Sequence, residues 1–154
     1  AFGDRFAFPP VKADRIVGDG DTVELGGVRL TAHLTPGHTK GCTSWSFAVE
    51  DSGRTLQALN VCGVTAPGYR LTGNSAYPNI VADFRTSFDR LEALPCQIFL
   101  SAHGHQFGLA EKRAALANGD AANPFVDEAG CRALVRSSRE DFEAELAKQM
   151  AAKQ

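Results

Sequence analysis

Four histidines and four cysteines are the residues in this chain best able to do chemistry. One of them stands out by its setting. His38 lies in Thr35-Pro36-Gly37-His38-Thr39-Lys40-Gly41-Cys42. Pro fixes φ and Gly tolerates conformations that other residues avoid, so Pro36-Gly37 forces a sharp turn. An imidazole held on such a turn at the mouth of a sheet is placed to bind a metal. The plainer reading is a surface turn that happens to carry a histidine. His33 falls inside a strand and reads as structural. His103-Gly104-His105 closes a short apolar strand. The cysteines, Cys42, Cys62, Cys96 and Cys131, have no Cys-x-x-Cys spacing, which counts against a zinc ribbon or a thioredoxin motif.

Strands and helices must position these residues. Short strands are expected at Arg15 to Gly18 and at Thr22 to Leu25. Gly26-Gly27 is a two-residue hairpin signal into Val28 to Leu34. Beyond the His38 turn, Ser44 to Val49 alternates with period two, and Asp51-Ser52-Gly53 turns it back into Thr55 to Val61. Up to this point the chain reads as an antiparallel meander. Residues 62–74 form a long loop at a strand end. Ile80, Phe84, Phe88 and Leu91 then recur at helical spacing, which predicts an amphipathic helix over residues 79–94, stopped by Pro95. A buried strand follows over residues 97–102. A helix is expected at 109–116, and a long one from Glu128 with Leu134, Val135, Phe142, Leu146 and Met150 on its apolar face. One sheet with helices on one face is the natural packing. This is half of a layered α/β/β/α sandwich, and the other half must come from elsewhere. His38, the Cys62-Gly63-Val64-Thr65 loop and His103 then fall at strand ends along one rim.

Composition bounds the function. The 154 residues suffice for one domain with a core. A hydrophobic content of 44% and a charged content of 22% are ordinary for a globular protein. A net charge of −2 gives no reason to expect nucleic acid or an anionic membrane as partner. No apolar run reaches the ~20 residues of a membrane span, and the first ten residues do not read as a signal peptide. The chain opens Ala1-Phe2-Gly3-Asp4 without a methionine, which we read as a processed product or a piece of a longer chain. Residues 1–13 carry Phe2, Phe6 and Phe8 and read as a loop or lid, or as a segment separated from a partner.

The stretch from Thr35 to Trp45 resembles the third histidine motif of the metallo-β-lactamase superfamily. Four further pieces resemble its B3 subclass of zinc β-lactamases. They are Gly3 to Pro10, Ala13-Asp14-Arg15-Ile16-Val17, Ala66-Pro67-Gly68-Tyr69-Arg70-Leu71, and Leu94-Pro95-Cys96 with the strand to His103. The likeness runs over essentially the whole chain and in order. It implies an α/β chain forming the C-terminal half of a four-layer αβ/βα sandwich, with residues 1–13 flanking the cleft and residues 14–154 as the β/α half. It implies two zinc ions between two halves, and hydrolysis of a β-lactam amide by the complete protein. His38 would bind the first zinc and His103 the second. Thr65 would help hold the substrate carboxylate, with Phe2 and Phe6 in the flanking loop. No catalytic residue beyond the metal ligands is expected here. Catalytic zinc keeps a position for water and lowers its pKa toward ~7.

The resemblance also places Cys96 and Cys131 where some B3 enzymes have a disulfide between the last strand and the C-terminal helix. Such a bridge would contribute about 4 kcal/mol in the chain-entropy model and fits a periplasmic or secreted setting. Cys62 reads either as a soft zinc ligand or as a small buried side chain, and the second is the expectation. Cys42 is expected to be buried and free, and His105 to be a neighbour of the site. The family's His-x-His-x-Asp-His motif is absent from these 154 residues, so the expected partner is a half that carries it. The isolated chain is expected to bind zinc weakly or not at all and to be inactive. Two rival readings remain. One is another hydrolase of the superfamily, acting on a lactone, thioester or phosphodiester. It conflicts with the lack of any carboxylate from Asn60 to Thr72. The other is a non-catalytic half-domain that assembles with a partner half, in one form as a homodimer.

Overall fold

The first half of the chain is folded by tight turns between alternating strands. The computed structural model describes residue 9 and residues 11–119 and 122–152. The expectations for Phe2 and Phe6 lie outside the described residues. Gly26 and Gly27, at φ 58° and 83°, connect β1 (Thr22–Leu25) to β2 (Val28–Leu34). Two consecutive left-handed residues match the twist of the strands they join, and glycine adopts them without a Cβ clash. β3 (Thr43–Asp51) and β4 (Arg54–Val61) close on each other through Ser52-Gly53. These four strands pair consecutively and antiparallel, as the alternation predicts. The expected strand at Arg15 to Gly18 does not form. Gly18 N donates to Asp21 Oδ2 at 2.7 Å, closing a turn over Gly18-Asp19-Gly20-Asp21. Asp and Gly together favour that local bonding over a ladder.

The second half covers one face. α1 (Ile80–Ala93) buries Ile80, Phe84, Phe88 and Leu91, the stripe that the sequence shows. β5 (Ile98–Ser101) adds to the sheet beside β4 and parallel to it, so the sheet is mixed, in the order β1-β2-β3-β4-β5. A 3₁₀ turn (Gly104–Phe107), α2 (Leu109–Ala117) and α3 (Glu128–Ala151) follow. Leu59 and Val61 of β4 and Phe99 of β5 share one core with the stripe of α1 and with Val135, Phe142 and Leu146 of α3. The Phe84 and Phe142 rings meet at 4.7 Å. Met150 is not part of that face and is exposed. Gln149 takes the inward place, its side chain bonding Leu71 N and the Tyr69 carbonyl at 2.8 and 2.7 Å. Polar backbone there requires a polar partner. Cys96 and Cys131 are bridged, tying the start of β5 to the first turn of α3.

Side chains alternate across a sheet, so the other face carries the opposite set. Val23, Leu30, Trp45 and Phe47 line a groove there of about 340 Å³ with Asn60. Leu56, Ala58 and Ile98 continue it as a second, smaller core against Phe47, Val49 and Phe125. The sheet is therefore apolar on both faces, with α1 and α3 on only one of them.

α2 is held to α3 by one mostly buried ion pair. Lys112 Nζ lies 2.6 Å from Asp127 Oδ2, with the rings of Phe99, Phe107 and Phe125 within about 6 Å of it. Burial pushes the Asp127 carboxyl up, but Lys112 and the Gly130 N–H outweigh it and hold the group below its ordinary range. A carboxylate so lowered contributes stability above its unfolded pKa, and loses it as pH falls through the folded one. Lys112→Met should therefore cost roughly 1–3 kcal/mol at pH 7, below the ~3–5 of a fully buried pair. Urea titrations across pH 7 to 3 should show that difference shrinking toward the acid end. A constant difference would contradict the pairing.

Candidate functional site

Strand order brings three loops to one edge. β2 ends where β3 begins (Leu34 opposite Thr43), and the start of β3 faces the end of β4 (Trp45 opposite Asn60). Because β5 is parallel to β4, Val61 and Ser101 lie side by side at their C-terminal ends. The His38 turn, the Cys62-to-Thr65 loop and the His103 segment thus all leave the same rim. Ala102 N donates to the Val61 carbonyl at 3.2 Å, so the last of these starts directly beside the second.

The His38 turn rests on α1. Ser87 Oγ donates to the Pro36 carbonyl at 2.6 Å. A Cβ on Gly37 would stand 2.8 Å from the ring of Phe84, so only glycine fits between turn and helix. Within the turn, Thr35 N donates to the Cys42 carbonyl at 2.9 Å and Gly37 N to the Thr39 carbonyl at 3.1 Å. Thr35 Oγ1 and Ser44 Oγ, both buried, are 2.9 Å apart, and Ser44 Oγ accepts from Cys62 N at 3.0 Å.

These contacts aim one imidazole. His38 Nδ1 lies 2.7 Å from the Thr65 carbonyl oxygen. A carbonyl only accepts, so Nδ1 carries the proton, and in the neutral ring Nε2 then keeps its lone pair. This arrangement, with the distal nitrogen free and the proximal one fixed on backbone, is the one that metal-ligating histidines adopt. Tyr69 completes the setting. Its hydroxyl donates to the His38 carbonyl at 3.0 Å, and its ring stacks 5.7 Å from the imidazole. Burial raises the pKa of that hydroxyl. A cavity of about 520 Å³ opens beside His38, with Lys40, Tyr69 and Arg70 in its lining.

The remaining expected site residues fall as follows. Thr65 meets His38 through its backbone, and its side chain is exposed. His103 starts the 3₁₀ turn, where its carbonyl accepts from Gln106 N at 3.0 Å. Its ring is exposed and stacks on His105 at 5.6 Å. His33 is structural, its Nε2 lying 2.7 Å from Ser46 Oγ, and burial lowers its pKa. Among the described residues no three His, Cys, Asp or Glu side chains stand together as a metal cage. His38 and His103 each carry an imidazole of the kind zinc accepts, but among the described residues they do not form a complete ligand set.

Two expectations about the cysteines are overturned. Cys42 is not free, and Cys62 is neither a lone buried side chain nor available as a thiolate ligand. The two are bridged, with Cα atoms 5.9 Å apart. The loops that bear them meet at the rim, which brings residues 20 apart in sequence into bonding range. Sequence parity carried this signal, since pairing Cys96 with Cys131 leaves one partner each for the others. Gly63 was also missed. A Cβ there would lie 2.5 Å from His38 Cδ2, and nothing in a lone glycine announces such an approach.

No family model matches the chain. Solved structures do. The native FEZ-1 metallo-β-lactamase from Legionella gormanii is 43% identical, with a TM-score of 0.89 over 93% of this chain and 55% of that one. BJP-1, a subclass B3 metallo-β-lactamase of Bradyrhizobium japonicum, is 41% identical, with a TM-score of 0.91 over 99% of this chain and 57% of that one. Over the length it spans, this chain matches subclass B3 metallo-β-lactamases in sequence and fold. A metallo-β-lactamase from Cronobacter sakazakii described by an HARLDQ motif is 44% identical, with a TM-score of 0.90 over 98% of this chain and 57% of that one. The chain thus spans a little over half the length of these B3 structures. The five-stranded mixed sheet with three helices matches the fold of these metallo-β-lactamase structures.

The close approach at Gly63 is open to test. Gly63→Ala places a methyl group against the His38 ring, and such overpacking costs about 1–3 kcal/mol. Urea unfolding should show that loss, and a crystal structure of the variant should show the imidazole moved off the Thr65 carbonyl. An unchanged ring position at unchanged stability would refute the contact.

Proposed function

We propose that the complete protein is a zinc-dependent β-lactamase and that this chain supplies part of its site. The observation that carries the reading is the His38 imidazole, fixed through Nδ1 on the Thr65 carbonyl with Nε2 left to donate. It occurs in a chain 41–44% identical to B3 metallo-β-lactamases over nearly all its length. In this reading His38 serves the first of two zinc ions and His103 the second. Thr65 lies beside the substrate carboxylate, where a neutral hydroxyl orients an anion without burying a charge. Zinc, when bound, supplies Lewis acidity toward the amide carbonyl and toward water. The chain's own residues orient and exclude. Tyr69 and Gly63 hold the imidazole plane, and the Pro36-Gly37 turn on α1 fixes its distance from the sheet.

The further donors belong to a partner half in this proposal. The apolar sheet face around Val23, Leu30, Trp45 and Phe47 supports such a partner. The motif on that half is a His-x-His-x-Asp-His sequence in our reading. The Cronobacter sakazakii relative is described by a different one, HARLDQ. Another superfamily hydrolase, acting on a lactone, thioester or phosphodiester, is disfavoured because no carboxylate lies between Asn60 and Thr72. Two disulfides support an oxidising compartment, and we propose the periplasm or the exterior, with antibiotic resistance as the consequence. No helix among the described residues is long and apolar enough to cross a membrane.

Zinc titration by calorimetry separates the parts from the whole. The 154-residue chain should bind zinc weakly or not at all and leave a chromogenic cephalosporin intact. The longer protein, or the chain refolded with a complementary half, should bind two zinc ions and hydrolyse it. His38→Ala in that assembly should cut turnover by more than the roughly 10–100-fold that loss of an outer-shell partner costs. Tight stoichiometric zinc binding by the chain alone would overturn the division of ligands. An assembly that cleaves lactones or thioesters but no β-lactam would overturn the substrate.

A further inference from the structure

The Cys42–Cys62 bridge closes a small ring with the candidate ligand. His38 and Cys42 lie on the same turn, four positions apart, and Cys62 and Thr65 lie on the facing loop, three apart. The disulfide joins the two segments at one end, and the His38 Nδ1 to Thr65 carbonyl bond joins them at the other. Gly63 stands between the two closures, with no room for a side chain against the imidazole. Cys42 Sγ lies 3.6 Å from the Gly63 carbonyl oxygen, so the bridge packs on the same peptide that faces the ring. The β3–β4 ladder stops short of this region, at Trp45 opposite Asn60. Beyond it the buried hydroxyls of Thr35 and Ser44 hold the Cys62 amide.

We infer that the Cys42–Cys62 disulfide is a positioning device for His38, holding the Thr65 carbonyl on Nδ1 and thereby selecting the tautomer that leaves Nε2 free. The Cys96–Cys131 bridge has no such role, since it ties β5 to α3 inside the other layer. A closed ring of a few residues holds its ends together far more effectively than a long flexible loop. Opening the bridge leaves the Thr65 carbonyl tethered through the ladder, the Ser44 contact and its own neighbours. The hydrogen bond that fixes the imidazole then has to be made by a loop with more freedom. The functional consequence rests on the reading of His38 as a zinc ligand, but the tautomer itself does not.

The test needs no metal. Nitrogen-15 spectra of the zinc-free chain, taken at a pH where the ring is neutral, report which imidazole nitrogen is protonated. In the intact chain His38 should show a protonated Nδ1 and a pyridine-like Nε2. Cys42→Ala with Cys62→Ala should lose that pattern and shift toward the Nε2–H form that imidazole prefers in water. Cys96→Ala with Cys131→Ala should keep it. This second variant also allows a reversible measurement, because Cys42–Cys62 is then its one disulfide. A dithiol takes over that bond, the bridge gaining two electrons and two protons as the dithiol becomes a disulfide. The His38 pattern should disappear on reduction and return on reoxidation, while amide shifts in α1 and α3 stay in place. Retention of Nδ1–H after opening would overturn the inference. Loss of the whole spectrum on reduction would also overturn it, because the bridge would then be a general staple. Failure of either kind is distinct from failure of the zinc reading, which the titration of the assembled protein tests separately.

Discussion

The parallel pairing of β5 with β4 is the constraint on which the site depends. In a pure meander, successive connections leave opposite ends of the sheet. The β2–β3 turn would then share its rim with the β4 end, and the next strand would run back the other way. Here α1 returns the chain across the sheet face, so that β5 runs with β4 and both end at one edge. That crossover puts the His103 segment on the rim that already holds His38 and Thr65. It also lays α1 beneath the His38 turn, so one helix serves both the topology and the local geometry.

That dual use explains the chemistry around α1. Its buried stripe is apolar except for Ser87, and Ser87 is the residue that bonds the Pro36 carbonyl. Phe84 fills the core with Phe142 and also sets the floor under Gly37. A hydroxyl buried in an apolar face is costly without a partner, and here the partner is the turn itself. The imidazole is then held from three directions: from below through the turn, at the side by Tyr69, and at Nδ1 by the Thr65 carbonyl. Each contact is ordinary. Together they leave one nitrogen free at the rim.

Much of this was legible in the residues. The period-two strands, the glycine turns and the stripe of α1 each satisfy a local rule, and local rules survive into the fold when packing agrees with them. The Pro36-Gly37-His38 turn was legible because proline and glycine punctuate so strongly. What escaped depends on contacts between loops. Gly63 matters only because His38 lies on it, and a sequence holds no sign of that approach. Cys42 and Cys62 are joined because their loops share a rim, which the strand order decides. At Arg15 to Gly18 a strand was expected, but Asp and Gly just downstream closed a turn instead. The ligand roles proposed for His38 and His103 rest on the chemistry of single donors, which the described residues do not complete into a metal cage.

The hydrogen bond from Ser87 to Pro36 has an implication for variation in this family. Ser87 is buried in α1 and touches the His38 turn only from beneath, through the Pro36 carbonyl. A change there would nevertheless tilt the floor beneath the imidazole. Variation that resets the position of His38 should therefore include changes on the buried side of α1 as well as around the rim. Such changes would look like neutral core drift in any alignment coloured only by distance from the imidazole.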